Sequence, residues 1–451
     1  MVERVDERSP ISSNMPPIAG ALNWTRGLFD RVHEPMERLS QLSATIQDRE
    51  EFKDVQKLYN SLCKSLKEFE ETKLVEWVEG VEENTEQHLN KPLLVKEETE
   101  LADEGFIRVN FDPTLVRLLR EVKYLQLIDI DVPERAAKLY DKVNVYRTQT
   151  GNLELTVNMY NEVLATLLAV EKPLLADRIQ QMLDALSPGL DVLKWNADSI
   201  NPFINKAMKI VTEVDELVKK MKENVKKMHD IMEKWYKPLY ERKNKALPAE
   251  DVEQTHQALV GPRLEDIRNN GKEIHRLMKD TQDNIKPDKK SPQWLSYQDY
   301  INCLIIDGIT VGINGSMHYL RDQLSIQYNK VNGLQPIFDI KVNLQDCMVE
   351  FDPTIESNSR ENGIRDIINK IVTDFISLSI MMPGRIDASQ NPNNAANNGD
   401  YLVEIKDQFQ LFGSINQITL GLDEIEDATA AFIHQYDDKK FLWEEKLEVS
   451  F

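Results

Sequence analysis

The sequence predicts a mainly α-helical protein, an elongated array of antiparallel helical bundles with a few short β-hairpins. Three observations predict this class. Apolar residues recur at helical spacing over most of the chain, one segment keeps a heptad pattern for about five heptads, and two short strand-like pairs interrupt the helices. At 451 residues the chain also exceeds the size at which a single hydrophobic core keeps growing. We therefore expect two to four packing units.

The longest periodic segment covers residues 202–236. Asn201 suits the N-cap and Pro202 the first helical position, while Pro238 cannot continue a helix. Between them apolar residues alternate spacings of three and four: Ile204, Ala207, Val211, Val214, Val218, Met221, Val225, Met228, Met232 and Trp235. This pattern predicts one buried face along a rod about 50 Å long.

The same periodicity predicts the remaining helices at lower resolution. They cover residues 18–45, 48–87, 113–127, 133–148, 152–186, 249–283, 293–330, 361–381 and 400–449. Turn-forming residues predict breaks at Ser187-Pro188-Gly189, at Ala246-Leu247-Pro248 and between Lys286 and Pro292. The Asn-rich run 387–400 is typical of a mobile surface loop.

These signals divide the chain into five regions. In order they are a first helical bundle (1–90), a β-hairpin insert (91–113), long-helix bundles that include the heptad rod 202–236 (114–335), a second β-hairpin (336–355) and a C-terminal helical bundle with the loop 387–400 (356–451).

Both predicted hairpins end in nearly the same six residues. Val109–Thr114 reads Val-Asn-Phe-Asp-Pro-Thr, and Val349–Thr354 reads Val-Glu-Phe-Asp-Pro-Thr. Each Asp-Pro is predicted to start the next helix. The recurrence indicates either a duplicated unit or the common use of Asp-Pro where a strand turns into a helix, and the sequence leaves both open.

Charge and composition exclude several classes of partner. The net charge of -21 opposes nucleic acid and anionic membrane, which require clustered Lys and Arg. The three cysteines, Cys63, Cys303 and Cys347, are far apart and indicate a reducing compartment. The charged N-terminus is unlike a secretory signal, and no apolar run reaches the ~20 residues of a membrane span. We expect a soluble, intracellular protein.

A search for reactive chemistry yields no catalytic, cofactor-binding or metal-binding residue. The phosphate-binding pattern G-x-x-x-x-G-K-[ST] is absent, and the small residues of 308–316 favour close helix packing instead. The seven histidines show no metal-ligand spacing. Glu79, Glu82, Glu83 and Glu86 lie at helical spacings, which is more typical of a solvated face than of a cation site.

Two segments suit protein binding. Lys286, Lys289 and Lys290 precede the aromatic residues Trp294, Tyr297 and Tyr300, and basic and aromatic residues are enriched at interfaces. Trp294 is equally suited to anchoring its own helix in the core. The segment 208–245 is basic within an acidic chain, which indicates either an acidic partner or the ordinary solvation of a long helix.

Two ordered runs resemble a known family. Residues 16–29 read Pro-Pro-Ile-Ala-Gly-Ala-Leu-Asn-Trp-Thr-Arg-Gly-Leu-Phe, and residues 109–125 read Val-Asn-Phe-Asp-Pro-Thr-Leu-Val-Arg-Leu-Leu-Arg-Glu-Val-Lys-Tyr-Leu. Both resemble the tail, or N-terminal stem, of dynein heavy chains of the axonemal type, in particular an outer-arm heavy chain. We call them the first motif and the second motif.

The resemblance implies a non-catalytic tail segment. Such a segment scaffolds intermediate chains, light chains or docking proteins and neighbouring heavy chains, and transmits force to the microtubule doublet of a cilium or flagellum. It implies a location in the cytoplasm and the axonemal cytoskeleton, with the ATP-driven motor elsewhere in a longer protein. Two other readings stay open: a generic helical scaffold or tether unrelated to dynein, and an enzyme with an acidic site at Glu79 to Glu86.

Overall fold

The computed structural model describes residues 14–41, 47–97, 105–241, 243–345, 348–356, 363–386, 401–406 and 409–444. The chain divides into two compact units. Unit 1 comprises residues 1–167 and 176–216, and unit 2 comprises residues 168–175 and 217–451. The predicted loop 387–400 and Cys347 lie outside the described residues. The finer five-region division stays a prediction.

Unit 1 is built from helices and one small sheet. Its elements are α1 (Pro17–Ser40), α2 (Glu50–Leu89), β1 (Leu94–Lys96), β2 (Ile107–Val109), α3 (Pro113–Leu127), α4 (Glu134–Asp141) and α5 (Val143–Thr166). The short helix α6 (Glu171–Leu174) belongs to unit 2, and α7 (Ala176–Asp191) returns to unit 1. Helix α8 (Ile200–Glu233) contributes its residues up to 216 to unit 1 and the rest to unit 2.

Unit 2 is likewise built from helices and one small sheet. After a 3-10 turn at Lys234–Tyr236 come α9 (Ala249–Ile285), α10 (Pro292–Leu324), α11 (Ile326–Asn332), β3 (Lys341–Gln345), β4 (Met348–Asp352), α12 (Ile364–Ile376) and α13 (Leu378–Met381). Then follow α14 (Leu402–Lys406), α15 (Phe409–His434), a 3-10 turn at Asp437–Lys439 and α16 (Phe441–Glu444). The prediction of a mainly helical fold with a few short hairpins is confirmed.

The heptad segment forms the buried face that its pattern predicts. Nine of its ten apolar residues are buried, and Val225 is half-buried. The helix ends at Glu233, ahead of Pro238. It begins at Ile200, so Asn201 lies in the first turn, and its predicted role as the N-cap is wrong. Its Oδ1 instead accepts a hydrogen bond of 2.9 Å from Gln149 Nε2.

The predicted break at Ser187-Pro188-Gly189 is wrong, because these residues lie inside α7. A proline leaves the carbonyl four residues earlier without its helical donor, and here that carbonyl belongs to Asp184. Ser187 Oγ donates to this oxygen at 3.0 Å. Gly189 serves packing: a Cβ there would lie 2.8 Å from Phe203 Cζ and 2.9 Å from Leu94 Cδ1.

Other helix boundaries differ in ways that have local causes. The predicted gap at 149–151 lies inside α5, because buried Gln149 and Leu153 continue one packed face past the exposed Gly151. The predicted helix 293–330 divides at Ser325, whose hydroxyl accepts a hydrogen bond from Tyr328 N and caps α11. The predicted breaks before Ala249 and between Lys286 and Pro292 are confirmed.

Both hairpins form antiparallel two-stranded sheets. In the first, Leu94 pairs with Val109, and in the second Leu344 pairs with Val349. Asp112 caps α3 as predicted, but β4 ends at Asp352 and the next described helix begins only at Ile364. The second Asp-Pro therefore does not start a helix, and that prediction is wrong. In the first hairpin the shared pattern begins at Val109, the last residue of β2, and continues beyond the strand. In the second hairpin most of the pattern lies inside β4. This difference argues against a duplicated unit.

The small residues of α10 permit close packing, as predicted. A Cβ on Gly312 would lie 2.7 Å from Trp235 O, and one on Gly308 would lie 3.0 Å from Met232 Sδ. Ser316 Oγ accepts a hydrogen bond of 2.9 Å from Leu239 N. Glycine at 312 therefore lets α10 approach the backbone of the 3-10 turn.

Candidate functional site

The first and second motifs meet in unit 1. Pro16, the N-cap residue of α1, has no side chain that could cap the helix. Glu121, in the second motif, fills this role from α3: its Oε1 accepts from Ile18 N and its Oε2 from Ala19 N, each at 3.0 Å. A carboxylate at a helix N-terminus satisfies free N–H groups and complements the helix dipole. Burial nevertheless raises the pKa of Glu121.

An apolar cluster lies under this cap. It contains buried Ala19 and Leu22 from the first motif, Leu125 from the second, and Ile130. Arg26 binds at the rim, where its guanidinium donates to Ile128 O and pairs with Glu70 at 3.1 Å. The residues that carry the family resemblance thus hold α1, α2 and α3 together.

The second motif also begins with a dense hydrogen-bond network. Asp112 Oδ1 accepts from Thr114 N at 2.9 Å, and its Oδ2 contacts Lys91 Nζ and His88 Nδ1. Burial of Asp112 by itself would raise its pKa, but the hydrogen bonds from Lys91, Thr114 and His88 outweigh this effect. The pKa of Asp112 is therefore held well below its usual range, and the side chain stays charged.

The predicted binding segment divides into a buried and an exposed part. Trp294 is 1% exposed and Tyr297 is fully buried in unit 2, so the core-anchor reading of Trp294 is the one that fits. Lys286, Lys289 and Lys290 are exposed, and Tyr300 is half-buried. Only these four remain accessible, and their role in binding stays a prediction.

Glu171 is a buried charge that the sequence analysis missed. It is fully buried, its Oε2 accepts from Leu168 N at 2.8 Å, and Lys222 Nζ pairs with the same oxygen. Burial and the nearby Glu171 charge raise the pKa of Tyr297. Lys222, counted as part of the basic segment 208–245, thus neutralises an internal carboxylate. No spacing around Glu171 in the sequence signals this role.

Unit 2 leaves an apolar groove open beside its hairpin. The register places Val342, Leu344, Val349 and Phe351 on one face of the sheet. This face, the end of α10, α11 and α15 enclose about 490 Å³. The Phe351 ring lies 5.9 Å from the Phe432 ring of α15. The groove is lined mostly by apolar side chains, among them Leu324, Ile326, Leu334, Ile337, Phe338, Ile340, Ile364 and Ile425.

Apolar side chains also remain exposed around this groove. Val331 of α11 is 75% exposed and Leu344 of β3 is 54% exposed. In unit 1, α1 and α2 likewise expose Phe29, Val55, Leu58 and Val75. Exposed apolar side chains beside an apolar groove are typical of protein-interaction sites.

The described part of the chain contains neither a cluster of metal-ligand residues nor a membrane-spanning helix. It holds no group of three His, Cys, Asp or Glu residues suited to a metal ion, although the side chains of Glu82 and Glu83 lie outside it. No described helix is long and apolar enough to cross a bilayer.

Comparison with known proteins identifies the region that contains both motifs. Residues 2–203 match the family model "Dynein heavy chain, N-terminal region 1". These residues are a dynein heavy chain N-terminal region. The dynein tail, the part of the heavy chain to which this region belongs, lacks the AAA motor domain. The resemblance found in the first and second motifs is therefore confirmed.

Similarity to dynein heavy chains extends beyond the matched region. The chain is 28% identical over 475 aligned residues to the dynein beta chain of the flagellar outer arm of Chlamydomonas reinhardtii, covering 98% of this chain and 10% of that one. It is 30% identical to the ciliary dynein beta chain of Heliocidaris crassispina, over 84% of this chain and 8% of that one. It is 25% identical to dynein axonemal heavy chain 17 of Mus musculus, over 97% of this chain and 9% of that one. The chain thus spans about a tenth of the length of its dynein relatives.

Proposed function

We propose that this dynein tail segment holds other chains of an axonemal dynein and passes load between the motor and the microtubule doublet. Its partners are intermediate chains, light chains or docking proteins, and neighbouring heavy chains. The observation that carries the proposal is the open apolar groove of unit 2. A well-packed helical unit keeps such a groove of about 490 Å³ open for a partner side chain or helix.

The packing inside the units supports the mechanical part of the proposal. The apolar face of α8 is buried except at the half-buried Val225. Helix α10 packs on Met232 of α8 through Gly308 and on the 3-10 turn through Gly312. Pulling such faces apart exposes apolar surface at about 25 cal/mol per Å². Each unit therefore resists deformation and can pass on a load.

The names of the relatives support an axonemal location. They are described as flagellar outer arm, ciliary and axonemal dynein chains. The exposed face of α1 and α2 suits contact with a neighbouring heavy chain, since Val55 and Leu58 lie three residues apart on one side of a helix. A scaffold unrelated to dynein is disfavoured, because both motifs fall within the matched dynein region.

Co-purification with an intermediate chain tests the proposal. The double variant Ile326→Glu, Val342→Glu places charges in the groove at two exposed lining positions, so we expect the fold to be preserved. We expect it to retain about tenfold less intermediate chain than the wild type, as for the loss of a central apolar contact.

Leu420→Glu provides the matched control. Leu420 lies on α15 and is 61% exposed, but it does not line the groove. This variant should retain the intermediate chain at the wild-type level. If the folded wild-type segment binds no intermediate chain, light chain or heavy chain at all, the proposal is wrong.

A further inference from the structure

A separate cleft in unit 1 has a basic wall. It lies between the end of α2, α4 and the start of α5, and it encloses about 590 Å³. Arg135, Lys138 and Lys142 line it at spacings of three and four residues, which places them on one side of α4 and of its C-cap residue, Lys142. Glu86 and Asp198 also line the cleft, so three cations face two anions. The lining is net positive in a chain whose net charge is -21.

The cations of this wall are available to a ligand. Lys138 Nζ lies 2.6 Å from Glu134 Oε1, but both side chains are largely exposed, and such a pair is weak and easily exchanged. Arg135 and Lys142 form no ion pair with any residue in the described ranges. An incoming anion would therefore displace few existing interactions.

A second, independent observation concerns Gln149 on the floor of the cleft. Its side chain is only 7% exposed, and its Nε2 donates to Asn201 Oδ1 at 2.9 Å. Its Oε1 accepts no hydrogen bond from the described residues. A buried amide oxygen without a donor is costly. The cleft thus presents a buried acceptor that lacks a donor within the described ranges, beside Arg135 and Lys142, which form no ion pair there, and Lys138, whose ion pair is exposed.

We infer that this cleft binds an extended, acidic polypeptide segment of a partner chain. Such a segment brings side-chain carboxylates for Arg135 and Lys142, a competitor for the exposed Lys138–Glu134 pair, and backbone N–H donors for Gln149 Oε1. The largely buried rings of Tyr146 and Trp195 also line the cleft. A densely charged polyanion fits less well, because it carries no such row of N–H donors and meets repulsion from Glu86 and Asp198.

The spacing of the cations agrees with an extended ligand. Arg135 and Lys142 are separated by about 10 Å along the helix axis, at ~1.5 Å per residue. Carboxylates two residues apart in an extended chain point the same way and lie about 6.6 Å from each other. Two acidic residues separated by one other residue can therefore both reach the wall.

This inference deepens the proposed function, since it names the class of partner segment that one surface of the tail accepts. It does not depend on the apolar groove of unit 2. The proposed function and the inference about the cleft can therefore fail separately, and the experiment below distinguishes the two outcomes.

Zero-length carbodiimide cross-linking of the full-length heavy chain, purified with its associated chains, tests the cleft. The reagent joins a lysine to a carboxylate only where the two are in contact. We expect amide links from Lys138 or Lys142 to Asp or Glu residues of a second polypeptide, located by mass spectrometry. Arg135→Glu leaves both lysines in place and should lower the yield of these links about fivefold, the upper range for an exposed ion pair.

Arg178→Glu is the control, because Arg178 is an exposed cation of the same unit outside the cleft. It should leave the yield unchanged. Links from Lys138 and Lys142 only to Glu86, Glu134 or Asp198 of the same chain would overturn the inference, as would intermolecular links that Arg135→Glu does not reduce. Partner chains that co-purify without links at the cleft reject this inference alone, whereas an absence of partner chains rejects the proposed function.

Discussion

The two hairpins of this protein share a six-residue pattern but differ in what covers them. In unit 1, Leu94 and Ile107 are fully buried, whereas in unit 2 Leu344 is 54% exposed. The pattern therefore specifies a strand that ends near an Asp-Pro, and it does not specify burial. Burial depends on the helices that the rest of the chain brings to the sheet.

The first hairpin is held by side chains from distant positions. Asn161 of α5 both donates to Ile107 O at 2.8 Å and accepts from Ile107 N at 3.1 Å. Trp195 Nε1 donates to Asn110 O at 2.8 Å. These bonds satisfy an edge that would otherwise be free to pair with another strand. The first hairpin is structural, and the second is part of an open surface.

The largest expected difference comes from truncating equivalent leucines. Leu94→Ala removes a fully buried side chain, so we expect a loss of about 2–5 kcal/mol in the free energy of unfolding. Leu344→Ala should change the free energy of unfolding by no more than about 0.5 kcal/mol, because about half of the Leu344 side chain is already exposed to solvent. Urea denaturation followed by circular dichroism measures both. Equal effects would show that the second hairpin is covered in solution.

The two Asp-Pro aspartates provide a sharper test. Asp112→Asn should cost about 1–2 kcal/mol, because the residue caps α3 and contacts Lys91 and His88. Asp352→Asn should have little effect, since within the described ranges its Oδ2 accepts only a long bond of 3.4 Å from Asn343.

The Asp112 comparison should also depend on pH. The pKa of Asp112 lies below its ordinary value of 3.8, so its stabilising contribution is present above pH 3.8 and is lost as the pH falls further. Asp112→Asn should therefore reduce the fall in the free energy of unfolding of unit 1 below pH 3.8. If the variant loses as much stability below pH 3.8 as the wild type does, the assigned network is contradicted.

The smallest expected effect concerns unit 2 and a different pH range. His256 is buried against the rings of Tyr240 and Phe375, and Asp374 Oδ2 lies 2.9 Å from its Nε2. Burial lowers the pKa of His256 despite the opposing effects of Asp374 and Glu253, while Lys370 lowers it further. Because the unfolded state takes up the proton first, stability falls as the pH drops below 6.5.

His256→Phe removes this titration and should make stability flatter between pH 7 and pH 5.5. The contribution of His256 to the slope can reach at most about 1.4 kcal/mol per pH unit. Thermal unfolding across this range measures it, and Asp112→Asn serves as a control that leaves the slope in place. A variant with the wild-type slope would show that His256 is not responsible.

Periodicity predicted most of the fold because burial in this protein follows helical spacing closely. The α8 stripe and the breaks before Ala249 and after Ile285 were predicted from apolar spacing and turn residues. The failures at Pro188 and Gly151 have another cause. A hydroxyl from Ser187 replaces the missing donor, and a continuous packed face outweighs one exposed glycine. Both depend on contacts that local rules do not include.

The candidate surfaces were less predictable than the fold. Trp294 and Tyr297 suited an interface by residue type, but they lie in the core, because α10 is apolar on more than one side. The basic cleft was missed, since Arg135 and Lys142 are ordinary helix-surface residues until Gln149 and Trp195 are brought beside them. The sequence of α4 and its C-cap residue does carry a signal, the cations Arg135, Lys138 and Lys142 at spacings of three and four.

The cap that Glu121 places on α1 has a consequence for synthesis. Ile18 and Glu121 are 103 positions apart. At roughly 5–20 residues per second, the ribosome delivers Glu121 about 5–20 s after Ile18. During that interval the proline-led helix has no carboxylate at its start, and Ala19 and Leu22 have no Leu125 to contact. During synthesis the first motif therefore lacks both its helix cap and its apolar contact until the second motif has been made.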